Sequence, residues 1–197
     1  MSVRHGLLAL LAEEPMHTYQ LKQQFEERTG STWPLNIGQV YTTVQRLARD
    51  GLVEALAGEG SDVERFGLTT AGREAAAAWW TTPVERGAPA RDELVIKLAL
   101  AAAAPGVDVV DLVQRQRRES MRSLHEYTRL HRTAGDDLAW GLVLDHLIFA
   151  LEAEIRWLDH VEAKVARAAR TAPDQRTAEQ GAADVSPSSR QDQEARR

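Results

Sequence analysis

The chain has 197 residues, 43% apolar and 27% charged, with a formal net charge of −5; it is long enough for one domain or two small ones, and its composition is neither fibrous nor wholly disordered. It has no cysteine, which excludes disulfides, thiolate metal sites and a cysteine nucleophile. The opening MSVRHGLLALLAEE has one basic residue and an apolar stretch broken by Glu13 and Glu14, too short for a membrane span and without a small-residue cleavage site, so a cytoplasmic protein is expected.

Val3, Leu7, Leu10 and Leu11 recur at helical spacing and predict a first helix that stops near Pro15. Thr18 is a candidate cap for a second helix, TYQLKQQFEERTG, with Leu21 and Phe25 facing inward and Gly30 as its stop. In the linker STWPLN, Pro34 biases Trp33 toward an extended backbone. The next helix, IGQVYTTVQRLARDG, carries Val40, Val44 and Leu47 as an inward stripe and ends at Gly51. Two short strand-like runs follow, LVEALA and VERFGL, joined by the turn-rich Gly58-Glu59-Gly60-Ser61-Asp62, which suits a hairpin. Thr69 or Thr70 starts another helix, AGREAAAAWW, which ends before Pro83. Three helices, a hairpin and a helix, in that order, spell a winged helix-turn-helix over residues 1–85.

Residues Thr81–Ala90 hold two prolines and a glycine and read as a hinge. Helices are then expected at Arg91–Ala104, stopped by Pro105-Gly106, and at Asp108–His131, with Val110, Val113, Leu124 and Tyr127 among the apolar positions. After Ala134-Gly135, Asp136 or Asp137 can cap a last helix to about Arg170. There Trp140, Leu144, Leu147, Leu151, Leu158, Val161 and Val165 follow a near-heptad track that Val143, Ile148 and Ile155 widen. A stripe of that width needs more than one neighbour, so residues 91–170 are expected to form an antiparallel helical dimerisation domain. Residues 171–197 hold a single Val and no aromatic and are expected to be disordered. The fold class is mainly α with a small β-hairpin wing.

In a helix-turn-helix the third helix enters the major groove; its outward side chains reach base edges while basic and hydroxyl groups hold phosphates. Gln39, Thr42, Thr43, Gln45 and Arg46 have the chemistry for this, amides for adenine and Arg for guanine or phosphate. The helix start at Asn36 and Gly38 offers amides to a phosphate oxygen. Tyr41 reads equally as a half-buried core residue or a phosphate contact. Tyr19 and Lys22 are candidates for a phosphate on the other flank, and Arg65 is the hairpin's only cation. Charge runs the other way: residues 1–87 carry eight Lys/Arg against eleven Asp/Glu, a balance of −3, and the GEGSD tip is acidic. Binding must therefore rest on the local placement of cations, and Asn36–Arg49 holds Arg46 and Arg49 with no acid.

LLALLAEEPMHTYQLKQQFEERTG, the stretch from Trp33 through Tyr41-Thr42-Thr43-Val44, Arg46-Leu47 and Asp50-Gly51-Leu52-Val53, and the LTTAGRE helix start resemble the PadR family of bacterial transcriptional regulators across the whole amino-terminal domain. The chain departs from it at His17-Thr18-Tyr19, where His-Gly-Tyr is frequent, at Tyr41-Thr42, where Tyr-Pro is frequent, and in its less basic wing. The carboxy-terminal helices resemble the longer subgroup, which implies a homodimer through the final helix. The resemblance also implies a repressor on a double-stranded DNA operator, relieved in some members by small aromatic or drug-like effectors. Trp140, Phe149, His146 and Trp79 are the candidates to line an effector pocket, with Trp140 preferred because it opens the last helix; aromatics at this spacing read as core equally well.

No metal-ligand spacing, nucleophile elbow or phosphate-loop glycine pattern occurs in the sequence, and neither an enzyme nor a cofactor is expected. A second reading, a winged-helix protein-interaction module on a dimeric helical scaffold, is favoured by the acidic balance and the acidic tip.

Overall fold

The computed structural model describes residues 2–56, 64–85, 87 and 90–183, with side chains as far as Arg170. Seven helices and one hairpin follow in the order α1 (Ser2–Leu11), α2 (Thr18–Arg28), α3 (Ile37–Arg49), β1 (Val53–Leu56), β2 (Arg65–Leu68), α4 (Thr70–Thr81), α5 (Glu93–Ala101), α6 (Val109–Thr133) and α7 (Leu138–Ala183). No described helix is long and apolar enough to cross a membrane. Contacts divide the chain into two units, residues 1–90 with 128–147 and residues 91–127 with 148–197. This division falls at residue 90, and it groups the tip of the α6–α7 hairpin with the amino-terminal residues and not with the rest of the helical region. A hinge sequence marks where the chain can bend; it carries no information on which later segment returns.

The first unit is built around α3. Val40, Val44 and Leu47 are wholly buried, joined in one core by Leu7, Leu8, Leu21, Leu35, Val53, Phe66 and Leu68. Each such side chain contributes about 2 kcal/mol on burial. The helix ends are capped by short polar side chains, which take up amides that lack an intrahelical partner. The cap of α2 is His17 and not Thr18: the Gln20 N–H donates to His17 Nδ1 at 3.2 Å and the His17 N–H donates back to Gln20 Oε1 at 3.1 Å. Imidazole nitrogen does here what a hydroxyl was expected to do. Asn36 caps α3, and Thr69 caps α4 while its hydroxyl donates to the Gly51 carbonyl at 2.7 Å.

The strands pair antiparallel, Val53 opposite Leu68 and Leu56 opposite Arg65, and Met16 adds an isolated bridge to Phe66. Loop residues 57–63, including the acidic tip, lie outside the described residues. Gly72 lets α4 approach the connection between α3 and β1: a Cβ there would stand 1.9 Å from the Leu52 carbonyl oxygen.

In the second unit Leu98, Val113 and Leu158 form a small core, with Leu94, Leu112, Trp157 and Val161 half-buried against it. α5 is shorter than expected, starting after its cap Asp92 and ending at Ala101. α7 runs to Ala183, beyond the expected end at Arg170, so disorder from Thr171 does not hold as far as that residue. Polar composition rules out a buried face and leaves helicity open, because Ala, Gln, Glu and Arg are good helix formers. Residues 184–197 lie outside the described residues.

Candidate nucleic-acid interface

At about 100° per residue, the positions opposite Val40, Val44 and Leu47 are Gly38, Thr42, Gln45 and Arg49, and all four are exposed. Gln39 and Arg46 flank this row on one side, Ile37 and Tyr41 on the other, again all exposed. Tyr41, left open between core and surface, is a surface residue at 53% exposure. Thr43 is rotated toward the core and only half-exposed, its hydroxyl donating to the Gln39 carbonyl at 2.7 Å. Thr42 donates likewise to the Gly38 carbonyl at 2.8 Å, which leaves its oxygen facing out as an acceptor. Arg49 joins the row although it was not among the candidates; counting four on from Gln45 finds it.

The amide expected to be free at Gly38 is not free: it donates to Asn36 Oδ1 at 2.8 Å. The cap that starts the helix occupies the group a phosphate was expected to take. Asn36 itself is exposed, its amide nitrogen still available as a donor.

The cations are sorted by their partners. Lys22 is held by Glu26 at 2.6 Å, Arg28 by Glu13 at 2.5 Å and Arg4 by Asp50 at 3.0 Å. Arg65 donates to the Pro15 carbonyl and Arg73 to the Leu68 carbonyl. Arg46 and Arg49 have no protein partner among the described residues. Three acids are thus spent on cations away from α3, and one of them, Asp50, which Arg4 holds, follows Arg49 directly in the chain. The net balance of −3 therefore conceals a helix face whose two cations are uncompensated.

Two expectations change with this. Lys22 is not a free phosphate-seeking cation, since its charge is matched by Glu26, whose carboxyl that ammonium and then the Leu35 N–H hold below its ordinary value. The Arg65 guanidinium folds back on the chain instead of extending along the wing. Tyr19, 62% exposed, stays available at the start of α2.

The effector candidates have different surroundings. Trp79 stacks on His5 with ring centroids 5.7 Å apart. Trp140 packs on the α-carbon of Gly30, where a Cβ would fall 2.0 Å from its ring. His146 is exposed in the same unit, and Phe149 belongs to the other unit, 64% exposed. The two described concavities are lined by Tyr19, Lys22, Gln23, Glu26, Glu27 and Ser31, and by one face of α6 around Met121. Neither includes an effector candidate.

Residues 7–78 match the family described as transcriptional regulator PadR-like, and residues 90–166 match the virulence activator alpha C-terminal family. No curated protein matches in sequence. Among solved structures, Bacillus subtilis PadR in complex with operator DNA is 19% identical with a TM-score of 0.63, over 84% of this chain and 98% of that one. The same regulator in complex with p-coumaric acid gives 17% and 0.68, over 84% and 99%. The Vibrio cholerae virulence activator AphA gives 21% and 0.62, over 84% and 99%. At such identities the likeness is one of fold, and it extends through both matched domains. The chain thus carries a domain of the PadR-like family of transcriptional regulators over residues 7–78, followed by a domain of the virulence activator alpha C-terminal family over residues 90–166.

Proposed function

We propose that this regulator binds a palindromic DNA operator as a homodimer, acts as a repressor, and is relieved by a small aromatic effector. The observation that carries the DNA reading is the outward face of α3. Gly38, Thr42, Gln45 and Arg49 stand in one row, flanked by Gln39, Arg46 and Tyr41, with both arginines uncompensated and no acid in the helix. Gln45 and Gln39 offer amides to base edges, Arg46 and Arg49 suit guanine or phosphate, and Asn36, Thr42, Tyr41 and Tyr19 suit phosphates. Thr43, Lys22 and Arg65 contribute less directly, through the contacts that already hold them.

The dimer is supported by apolar side chains that the chain leaves uncovered on α5 and α7: Ile96 (46% exposed), Leu100 (69%), Leu142 (61%) and Phe149 (64%). A two-fold dimer places two recognition helices about 34 Å apart on one side of the duplex, which is why a palindrome is proposed. Effector relief is supported by the shared fold with a regulator solved with p-coumaric acid. Trp140, Phe149, His146 and Trp79 remain the proposed contacts, and the ring faces of Trp140 and Trp79 are already occupied within the chain.

The test is direct binding to the DNA upstream of its own gene. A shift at low salt that weakens steeply as salt is raised is expected, because each phosphate contact releases counterions. No binding at low salt, combined with retention of another protein by the α3 face, would favour the interaction-module reading.

A further inference from the structure

The sharpest contact in the first unit joins segments more than a hundred positions apart. α2 ends in two consecutive left-handed residues, Gly30 at φ +56° and Ser31 at φ +55°, and the Ser31 N–H donates to the Glu26 carbonyl at 2.7 Å. The six-membered ring of Trp140 lies on this turn. A Cβ on Gly30 would stand 2.0 Å from Trp140 Cε3 and 2.2 Å from Cζ3. Gly51, Gly106 and Gly135 also have positive φ, but a Cβ on any of them would meet nothing within 4 Å. At Gly30 alone among these do backbone and neighbour both demand glycine.

The backbone that carries Trp140 is tied at the start of α7, where the Trp140 amide N–H donates to Asp137 Oδ1 at 3.1 Å, and His131 near the end of α6 meets Asp145 on α7 at 3.0 Å. The turn that the Trp140 ring presses on leads directly to the recognition helix. Glu26 accepts the Leu35 N–H at 2.8 Å, Leu35 is buried, and Asn36 begins α3. The α6–α7 tip thus reaches the stretch that leads into α3.

We propose that Trp140 is a positioning residue for DNA binding: its ring on Gly30 fixes the α2–α3 connection and so the placement of α3. The inference rests on the DNA-binding reading above. It also gives the α6–α7 tip a mechanical reason to group with the amino-terminal residues, because moving α7 along or about its axis moves this ring. Trp140 then acts on binding through Gly30, without touching DNA.

The experiment measures operator affinity by fluorescence anisotropy on the full-length protein for Trp140→Ala, Trp140→Phe, Gly30→Ala and the double variant Gly30→Ala/Trp140→Ala. Thermal unfolding is followed alongside, and Gly135→Ala serves as the control for left-handed strain without a neighbour. Trp140→Ala and Gly30→Ala are each expected to weaken binding about tenfold, within the ordinary range of coupling between sites. Trp140→Phe, which keeps a ring on Gly30, should restore most of it. The double variant should be no weaker than the worse single, since both act through one contact. A folded Trp140→Ala that binds as the unchanged protein does, or two single effects that multiply, would overturn the proposal. Hydrogen exchange at residues 29–36 gives a readout that needs no DNA: faster exchange in Trp140→Ala is expected, and unchanged exchange would overturn the coupling. If the unchanged protein binds no DNA while exchange still responds, it is the DNA-binding reading that fails.

Discussion

In residues 1–90, side chains from α1, α2, α3, both strands and α4 close on one continuous core, whereas among the described residues of the second unit the buried apolar cluster is Leu98, Val113 and Leu158. The helix pair of that second unit is joined largely by polar bonds. Gln114 donates to Glu162 at 2.8 Å, Ser120 to Glu154 at 2.5 Å, and Arg117 pairs with Asp159 at 3.1 Å. Such bonds fix the register of two helices but add little net stability. Apolar side chains that a self-sufficient domain would bury stay in the open on α5 and at Phe149. Residues 1–90 close their own core and the second unit is under-covered, a contrast that supports the proposed division between DNA reading and dimerisation.

The comparison is broken most severely in the complete unit. Leu47 is wholly buried beneath the recognition face, and Leu47→Ala should cost about 2–5 kcal/mol through lost burial and the cavity left behind. Urea unfolding measures it, and a loss below about 1 kcal/mol would mean that the core tolerates truncation beneath α3. The under-covered unit should respond differently. Ile96→Glu and Phe149→Glu place charge where the chain itself packs little, so secondary structure should survive while light scattering falls from dimer to monomer mass. Operator affinity should then drop by about two orders of magnitude, since the second half-site no longer adds to the first. A variant that stays dimeric with unchanged affinity would move the assembly surface elsewhere.

Within the reading domain the finer distinction is between compensated and uncompensated cations. Arg46→Ala should weaken operator binding by about 1–3 kcal/mol and reduce the salt slope by about one if the contact is to phosphate. Arg167→Ala, on the last helix, should leave binding nearly unchanged. Equal losses would place the DNA on a different face.

Much of the reading domain was legible because helical periodicity reports its own buried side: Val40, Val44 and Leu47 are the stripe that spacing alone picks out, and the exposed row follows by rotation. Periodicity cannot report what a polar group on the other side is already bonded to. The Gly38 amide was lost to Asn36 two positions earlier, a side-chain cap readable locally, and Lys22–Glu26 is an ordinary i, i+4 pair. Arg4–Asp50, Arg65 with Pro15 and Trp140 on Gly30 join distant segments, and no local rule marks them. A net balance is silent on this too, since a sum of charges ignores pairing.

The smallest effect concerns acid. The Glu13 carboxyl is held below its ordinary value, chiefly by the Arg28 hydrogen bond with a further coulombic part, and Arg28 is raised in turn. A carboxyl lowered on folding adds stability above its unfolded value, near 4.5, and that stability disappears as pH falls through the folded value. Both side chains are well exposed, 44% and 51%, so solvent screening should keep the contribution below about 1 kcal/mol and salt should shrink it further. Glu13→Gln should accordingly remove that contribution at neutral pH, a loss below about 1 kcal/mol, and leave stability at low pH almost untouched, so that the acid side of a stability-against-pH curve flattens. If the full acid-side loss persists in that variant, it belongs to Glu26, lowered by Lys22 and by the Leu35 N–H. Acid would then act on the connection that delivers α3 and not on the brace between Glu13 and Arg28, and operator affinity should fall with stability over the same pH range.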